Sequence, residues 1–127
     1  MRSLAREAVY KYLFSRLFNP CDEGLFDVLI KELNDDDKNF ATTIKDAVIN
    51  NEEKYNQILS EMSVGYKFDR IFKSDRCAIL IGMAEYDLFA NKTPKIVIID
   101  EAVKLSAKYS TDNSPDFVNG ILANYCK

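Results

Sequence analysis

Between residues 40 and 62 the chain sets apolar side chains at steps of three and four: Phe40, Ile44, Ala47, Val48, Tyr55, Ile58, Leu59 and Met62, with Asn51 the one polar member of the series. A strand turns its side chains over every second residue and cannot gather such a series on one face. The stretch therefore predicts an amphipathic helix with a single stripe against a single core. Breaks at Asn19-Pro20, at Asn34-Asp35-Asp36-Asp37, around Gly65, at Thr93-Pro94 and at Ser114-Pro115 divide the chain into pieces of helical length. About six helices are expected, the 40–62 stripe forming the third.

Two of those breaks resemble helix starts, because Thr93 before Pro94 and Ser114 before Pro115 put a hydroxyl at the N-cap and a proline at the first helical position. The run from Cys77 through Ala84 is apolar on every face, as a central helix needs, and Gly82 within it predicts a close approach by a neighbour. Ile96, Val97, Ile98 and Ile99 would suit a buried strand if read alone. The cap before them, the Asp100-Glu101-Ala102 continuation and the lack of a second strand to pair with favour helix, so the fold class is all-α.

A chain of 127 residues, 47% apolar, is expected to form one domain over 1–127 without a metal or disulfide staple. With no histidine, imidazole acid–base catalysis, the usual nucleophile triads and the common zinc sets are excluded. Cys21, Cys77 and Cys126 form no CxxC pair and read as reduced, buried thiols. The four glycines lie apart, so no glycine-rich phosphate loop exists. Asp100 and Glu101 point in different directions on one helix, and no other carboxylates stand out as an acid–base pair, so no enzyme, cofactor or metal site is expected. Charges at Arg6, Glu7 and Lys11 interrupt any signal-peptide core, and no apolar stretch approaches the length of a membrane span. A cytoplasmic location is expected.

The net charge of -3 is unevenly spread. Residues 1–18 hold Arg2, Arg6, Lys11 and Arg16 against Glu7, whereas 22–37 hold seven acids against Lys31. Arg2 and Arg6, one turn apart, could direct two guanidinium forks at neighbouring phosphates; the plainer alternative is two solvated arginines. Tyr10, Tyr12, Phe14 and Phe18 wrap the same helix, enough to leave one ring for a partner. The acidic segment could repel RNA or dock a basic protein, and its plainer reading is a solvated loop rich in capping residues with a short helix.

Four blocks carry a resemblance. Ala5-Arg6-Glu7-Ala8 leading to Leu13-Phe14, Asp75-Arg76 before the apolar helix, Pro94 through Val103, and Ser114-Pro115-Asp116-Phe117-Val118-Asn119-Gly120-Ile121-Leu122 resemble, in order and through nearly the whole chain, the NusB family of bacterial transcription antitermination factors. The resemblance implies two packed three-helix bundles and a non-enzymatic RNA-binding adaptor. It would hold single-stranded boxA-type RNA of ribosomal transcripts together with the ribosomal protein NusE, acting indirectly on the RNA polymerase elongation complex. A low-charge surface is compatible with that role if phosphate neutralisation sums across the pair.

The resemblance places RNA contacts at Arg2, Arg6 and Phe117 and NusE contacts at Phe14 and Asp75. For Phe117 core packing is an equal alternative, and Asn119 and Gly120 are read as structural. Ser3 and Leu4 stand where the family often has basic residues, which leaves open a helical interaction scaffold that has lost RNA binding. The usual ending of the family's central helix aligns either on Ala84-Glu85-Tyr86 or on Tyr86-Asp87-Leu88, so no role is assigned there. The same fold also occurs as an accessory domain of ribosomal-RNA cytosine methyltransferases; at 127 residues the free-standing form is expected. A monomer and a homodimer both remain open.

Overall fold

A computed structural model describes residues 2–19, 24–63 and 71–127. Pro20, Cys21 and Gly65, on which two expected breaks and one expected thiol rest, lie outside them. Among the described residues there are seven helices and no strand: α1 (Arg2–Arg16), α2 (Gly24–Ile30), α3 (Asp35–Asn50), α4 (Glu52–Met62), α5 (Lys73–Phe89), α6 (Lys95–Tyr109) and α7 (Ser114–Tyr125). α1, α2 and α3 pack as one bundle and α5, α6 and α7 as another. α5 joins them, touching α1, α3 and α4 on one side and α6 and α7 on the other.

The helix count exceeds the expectation because the 40–62 stripe is cut at its polar member. Asn51 closes α3 and opens α4 with φ -117° and ψ 18°, and its side-chain amide donates to the Ala47 carbonyl at 2.8 Å. An asparagine that offers the preceding turn a side-chain donor competes with the helical ladder. The stripe survives the break, so Phe40, Ile44, Val48, Tyr55 and Leu59 all reach the core. α3 begins where the acidic run predicts a cap: Asn34 Oδ1 accepts from the Asp37 amide at 2.8 Å, and three aspartates occupy the positive end of the helix.

The other two helix starts differ from expectation. α6 is preceded by Pro94 rather than capped by Thr93, and α7 begins at Ser114 itself, with Asn113 before it and no side-chain cap bond at either. The Ser114 hydroxyl is engaged elsewhere. Ile98, Ala102 and Leu105 are buried at the four- and three-residue steps of a helix face, which settles the β-branched run as α6. α5 is buried from Cys77 to Glu85, and at Gly82 a Cβ would stand 2.7 Å from Leu122 Cδ1, so the glycine does admit α7. No described helix is long and apolar enough to cross a membrane.

One hydrogen-bond node ties three helices. Asp87 on α5 accepts the Tyr55 hydroxyl of α4 at 2.8 Å and the Tyr125 hydroxyl of α7 at 2.8 Å. Burial, helped by Asp87, raises the pKa of both tyrosines above its ordinary value. Burial likewise pushes Tyr10 and Cys77 up to about 12 and Cys126 up to about 11. Each of these groups holds its proton more tightly folded than unfolded. Their stabilising contribution is therefore complete below the ordinary thiol value of 9.0 and is lost as pH rises through the folded values. Denaturant midpoints should fall steadily above about pH 9; a flat profile to pH 11 would contradict this packing.

Candidate nucleic-acid and partner interface

Arg6 is not at the surface. It is 5% exposed, and its Nε and Nη2 donate to Oε1 and Oε2 of Glu85, itself 1% exposed, at 2.7 and 2.6 Å. Glu101, which accepts the Ser3 hydroxyl at 2.7 Å, stands 3.6 Å from Arg6 Nη1. The expectation that Arg6 grips a phosphate is corrected: two bonds in the fork geometry of a bidentate pair commit its guanidinium inward. The pair joins α1 to α5 and hence the first bundle to the second.

Arg2 remains partly exposed. Its guanidinium lies 4.3 Å from the centre of the Phe40 ring and 5.6 Å from that of Phe89, with Asp36 at 3.9 Å. The two forks therefore do not act side by side; of the expected arginine pair only Arg2 is open to a ligand, with Leu4 exposed close by.

A second region takes shape where α5 and α7 begin. Ile71, Phe72, Asp75, Thr111, Asn113, Ser114 and Phe117 line a hollow of about 340 Å³. Phe117 is half-buried, with part of its ring packed against the core and part on the hollow. Asp75 is only 3% exposed, where the resemblance had suggested a carboxylate presented to a partner. It is held by Ser114, whose hydroxyl donates to Oδ2 at 3.0 Å and is in turn met by Thr111 Oγ1 and Ser110 Oγ at 2.9 Å each. Ser74 stands 2.7 Å from Ser110, so four hydroxyls gather around one carboxylate. Asp75 Oδ1 has no hydrogen-bond partner among the described residues.

Next to it lies a second hollow that shares Ile71 and Phe72 and adds Phe14, Phe18, Lys73, Ser74 and Arg76. Phe72, 56% exposed, is the ridge between the two. The aromatic wrapping of α1 becomes a ladder here. Tyr109 stacks on Tyr10 at 5.1 Å, Tyr10 on Phe14 at 6.3 Å, and Phe14 meets Phe18 edge-on at 5.2 Å. Phe18 is the exposed ring that the sequence foretold, with the Lys73 ammonium 5.2 Å from its centre. Glu7 fixes the far end of the ladder by accepting from Tyr109 and Lys108. The Tyr109 hydroxyl chiefly, and Lys108 with it, hold the Glu7 carboxyl below its usual range against partial burial.

Thus Phe14, Asp75 and Phe117 are brought to one adjoining surface, whereas Arg6 is withdrawn. Sequence reasoning missed Phe72, which sits among no recognisable motif, and Glu85, whose signal was an acid directly after a wholly apolar run.

Comparison with known proteins matches this arrangement over its full length. The NusB family profile covers residues 1–127. The transcription antitermination protein NusB of Desulfosudis oleivorans is 35% identical over 127 residues, covering 95% of this chain and 82% of that protein. The crystal form of T. maritima NusB superposes with a TM-score of 0.90 at 26% identity over 99% of this chain and 90% of that one. A structure of the antitermination factors NusB and NusE in complex with double-stranded RNA has the same fold, at a TM-score of 0.84 and 24% identity over 98% of this chain and 95% of that one. With its whole length matched and the α1, α5 and α7 blocks in family order, the chain belongs to the NusB family.

Proposed function

We propose that the chain is a non-enzymatic transcription antitermination factor that, together with NusE, holds single-stranded boxA-type RNA. The observation that carries this reading is the pair of adjoining hollows at the start of α5, where exposed Phe72, Lys73 and Phe18 alternate ring and cation beside Phe117. Interleaved aromatic and basic side chains suit single-stranded nucleic acid, because bases stack on rings while the cation meets the backbone. Support comes also from the shared family and from the protein of the same fold captured with NusE and double-stranded RNA.

In this reading Phe117 stacks a base, Arg2 meets a phosphate and Phe14 faces NusE. Arg6 organises the α1 edge without touching RNA. Asp75 is open only to a group that enters its hollow. The withdrawal of Arg6 removes one of the two expected guanidinium contacts, which favours NusE as the supplier of further positive charge. It also gives substance to the second reading, a scaffold without RNA affinity.

Anisotropy titration of a labelled boxA-type RNA with the chain alone and with NusE added, at several salt concentrations, tests the two. Binding should be weak alone and at least about tenfold tighter with NusE, with a steeper dependence on salt because more phosphates are neutralised. No binding under either condition would leave the scaffold.

A further inference from the structure

We propose that the outer face of α6 and α7 is where two copies of this chain meet, in a weak twofold dimer. This contact lies away from the expected RNA and NusE surfaces and does not depend on them. Asn119, which borders it, and Phe117 are two residues apart on α7 and so point to nearly opposite sides of that helix.

Three features of the face converge. Ile96 is 74% exposed, and Ile99 and Val103, one and two turns along α6, are only partly covered. Single apolar residues at a surface need no explanation, but these recur on one side of one helix. With Lys95, Asp100 and Asn119 they line a hollow of about 360 Å³. The second feature is Gly120, on the exposed side of α7 and inside the helix, where a Cβ would meet nothing within 4 Å. A glycine in a helix interior costs stability relative to alanine. Leu122 demands the glycine at position 82, whereas no described residue demands this one. With Ala123 exposed beside it, Gly120 leaves α7 a smooth flank that a helix from outside the chain can approach closely. The third is the charge of the rim. Lys95 and Lys104 stand against Asp100 and Asp116, all four exposed, so the face is balanced in a chain whose net charge is -3.

That balance selects the occupant. A neutral rim gives no net attraction to a polyanion or to a strongly charged protein, whereas a second copy brings the same two cations and two carboxylates without excess of either sign. Shape agrees with charge. In a twofold contact each copy receives what it gives, and the projecting Ile96 lies about one turn from the gap between Ile99 and Val103 on the same side of α6. An antiparallel second copy therefore seats its Ile96 in this hollow while receiving Ile96 in its own. The 15 residues of α6 span about 22 Å, and two neighbouring helices about 20 Å, so each copy covers roughly 500 Å². A total near 1,000 Å² is at the low end of specific interfaces, so the dimer forms at micromolar concentrations and exchanges readily.

Sedimentation velocity of the full chain from about 5 to 500 µM tests this, and should show a monomer passing to a dimer with a dissociation constant of about 10 to 300 µM and no larger species. Ile96→Glu should weaken association at least about tenfold and leave the melting temperature within about 2 °C, since the side chain is exposed. Gly120→Gln should weaken it as much while raising the melting temperature by about 2 to 5 °C, because the isolated chain has room there and gains helix propensity. Val28→Glu, at a comparably exposed apolar site on α2, should change neither. A chain that stays monomeric throughout overturns the inference. So does a dimer that survives either substitution on the face or is lost with Val28→Glu, and so does growth beyond the dimer, which a twofold contact cannot produce. A monomer whose NusE binding is impaired by Ile96→Glu also overturns it, since the face would then hold a different protein. Should one of the two face variants not fold, the other decides.

Discussion

Arg6→Ala should destabilise the chain by about 3 to 5 kcal/mol, because Glu85 would be left charged and without its cation in the middle of α5. That is a large part of the roughly 5 to 15 kcal/mol available to a domain of this size. The melting temperature should drop on the order of 10 to 20 °C. An exposed arginine would have moved it by a degree or two, so thermal unfolding followed by circular dichroism separates the two placements at once. Glu85→Ala should cost a similar amount, with Glu101 at 3.6 Å giving Arg6 only partial relief. The double replacement Arg6→Met with Glu85→Leu should recover most of the loss, since the expense of a broken pair lies in the isolated charge more than in the absent attraction. If the single and double variants lose stability additively, the pair is not buried as described.

The second large effect is expected at Asp87. Asp87→Ala strands the hydroxyls of Tyr55 and Tyr125, and Tyr55 is almost wholly inside the protein. Two hydrogen bonds to an exposed carboxylate, whose place water can partly take, predict a total of about 1 to 2 kcal/mol, most of it from Tyr55. Asp87→Asn keeps an acceptor and should lose about half as much. Chemical denaturation of the two variants beside Tyr55→Phe measures this: the Asp87→Ala loss should shrink when Tyr55 is already phenylalanine. Equal losses in both backgrounds would remove Tyr55 from the node.

What could be read from the residues was whatever depends on near neighbours along the chain. The 3.6-residue period from Phe40 to Met62, the acidic cap at Asn34 and the closeness allowed by Gly82 are local signals, and all three appear in the fold. The break at Asn51 was not expected, although that residue stood out as the one polar member of an apolar series. The N-cap assignments of Thr93 and Ser114 failed; at the second, α7 begins at Ser114 itself, and the hydroxyl donates to Asp75, 39 residues away, while accepting from the Thr111 amide. Arg6 was misread for a related reason. The face of α1 that turns inward is decided by an acid 79 residues distant, and a helix with aromatic and charged groups on all sides gives no hint of which face that is. The hollows of the interface are assembled from α1, α5 and α7 and have no linear signature; only Phe14, Asp75 and Phe117 could be placed there beforehand, through family likeness.

The inward arginine also acts as an index pin for α1. Because Arg6 and Glu85 fix the rotation of the first helix, position 4 is directed to the solvent whatever residue occupies it. Leucine stands there now, with no structural duty to keep it. Affinity for a polyanion can therefore drift up or down at that site by single replacements while the architecture beneath is untouched, and members of one lineage are free to divide the electrostatic work differently between themselves and the proteins they bind.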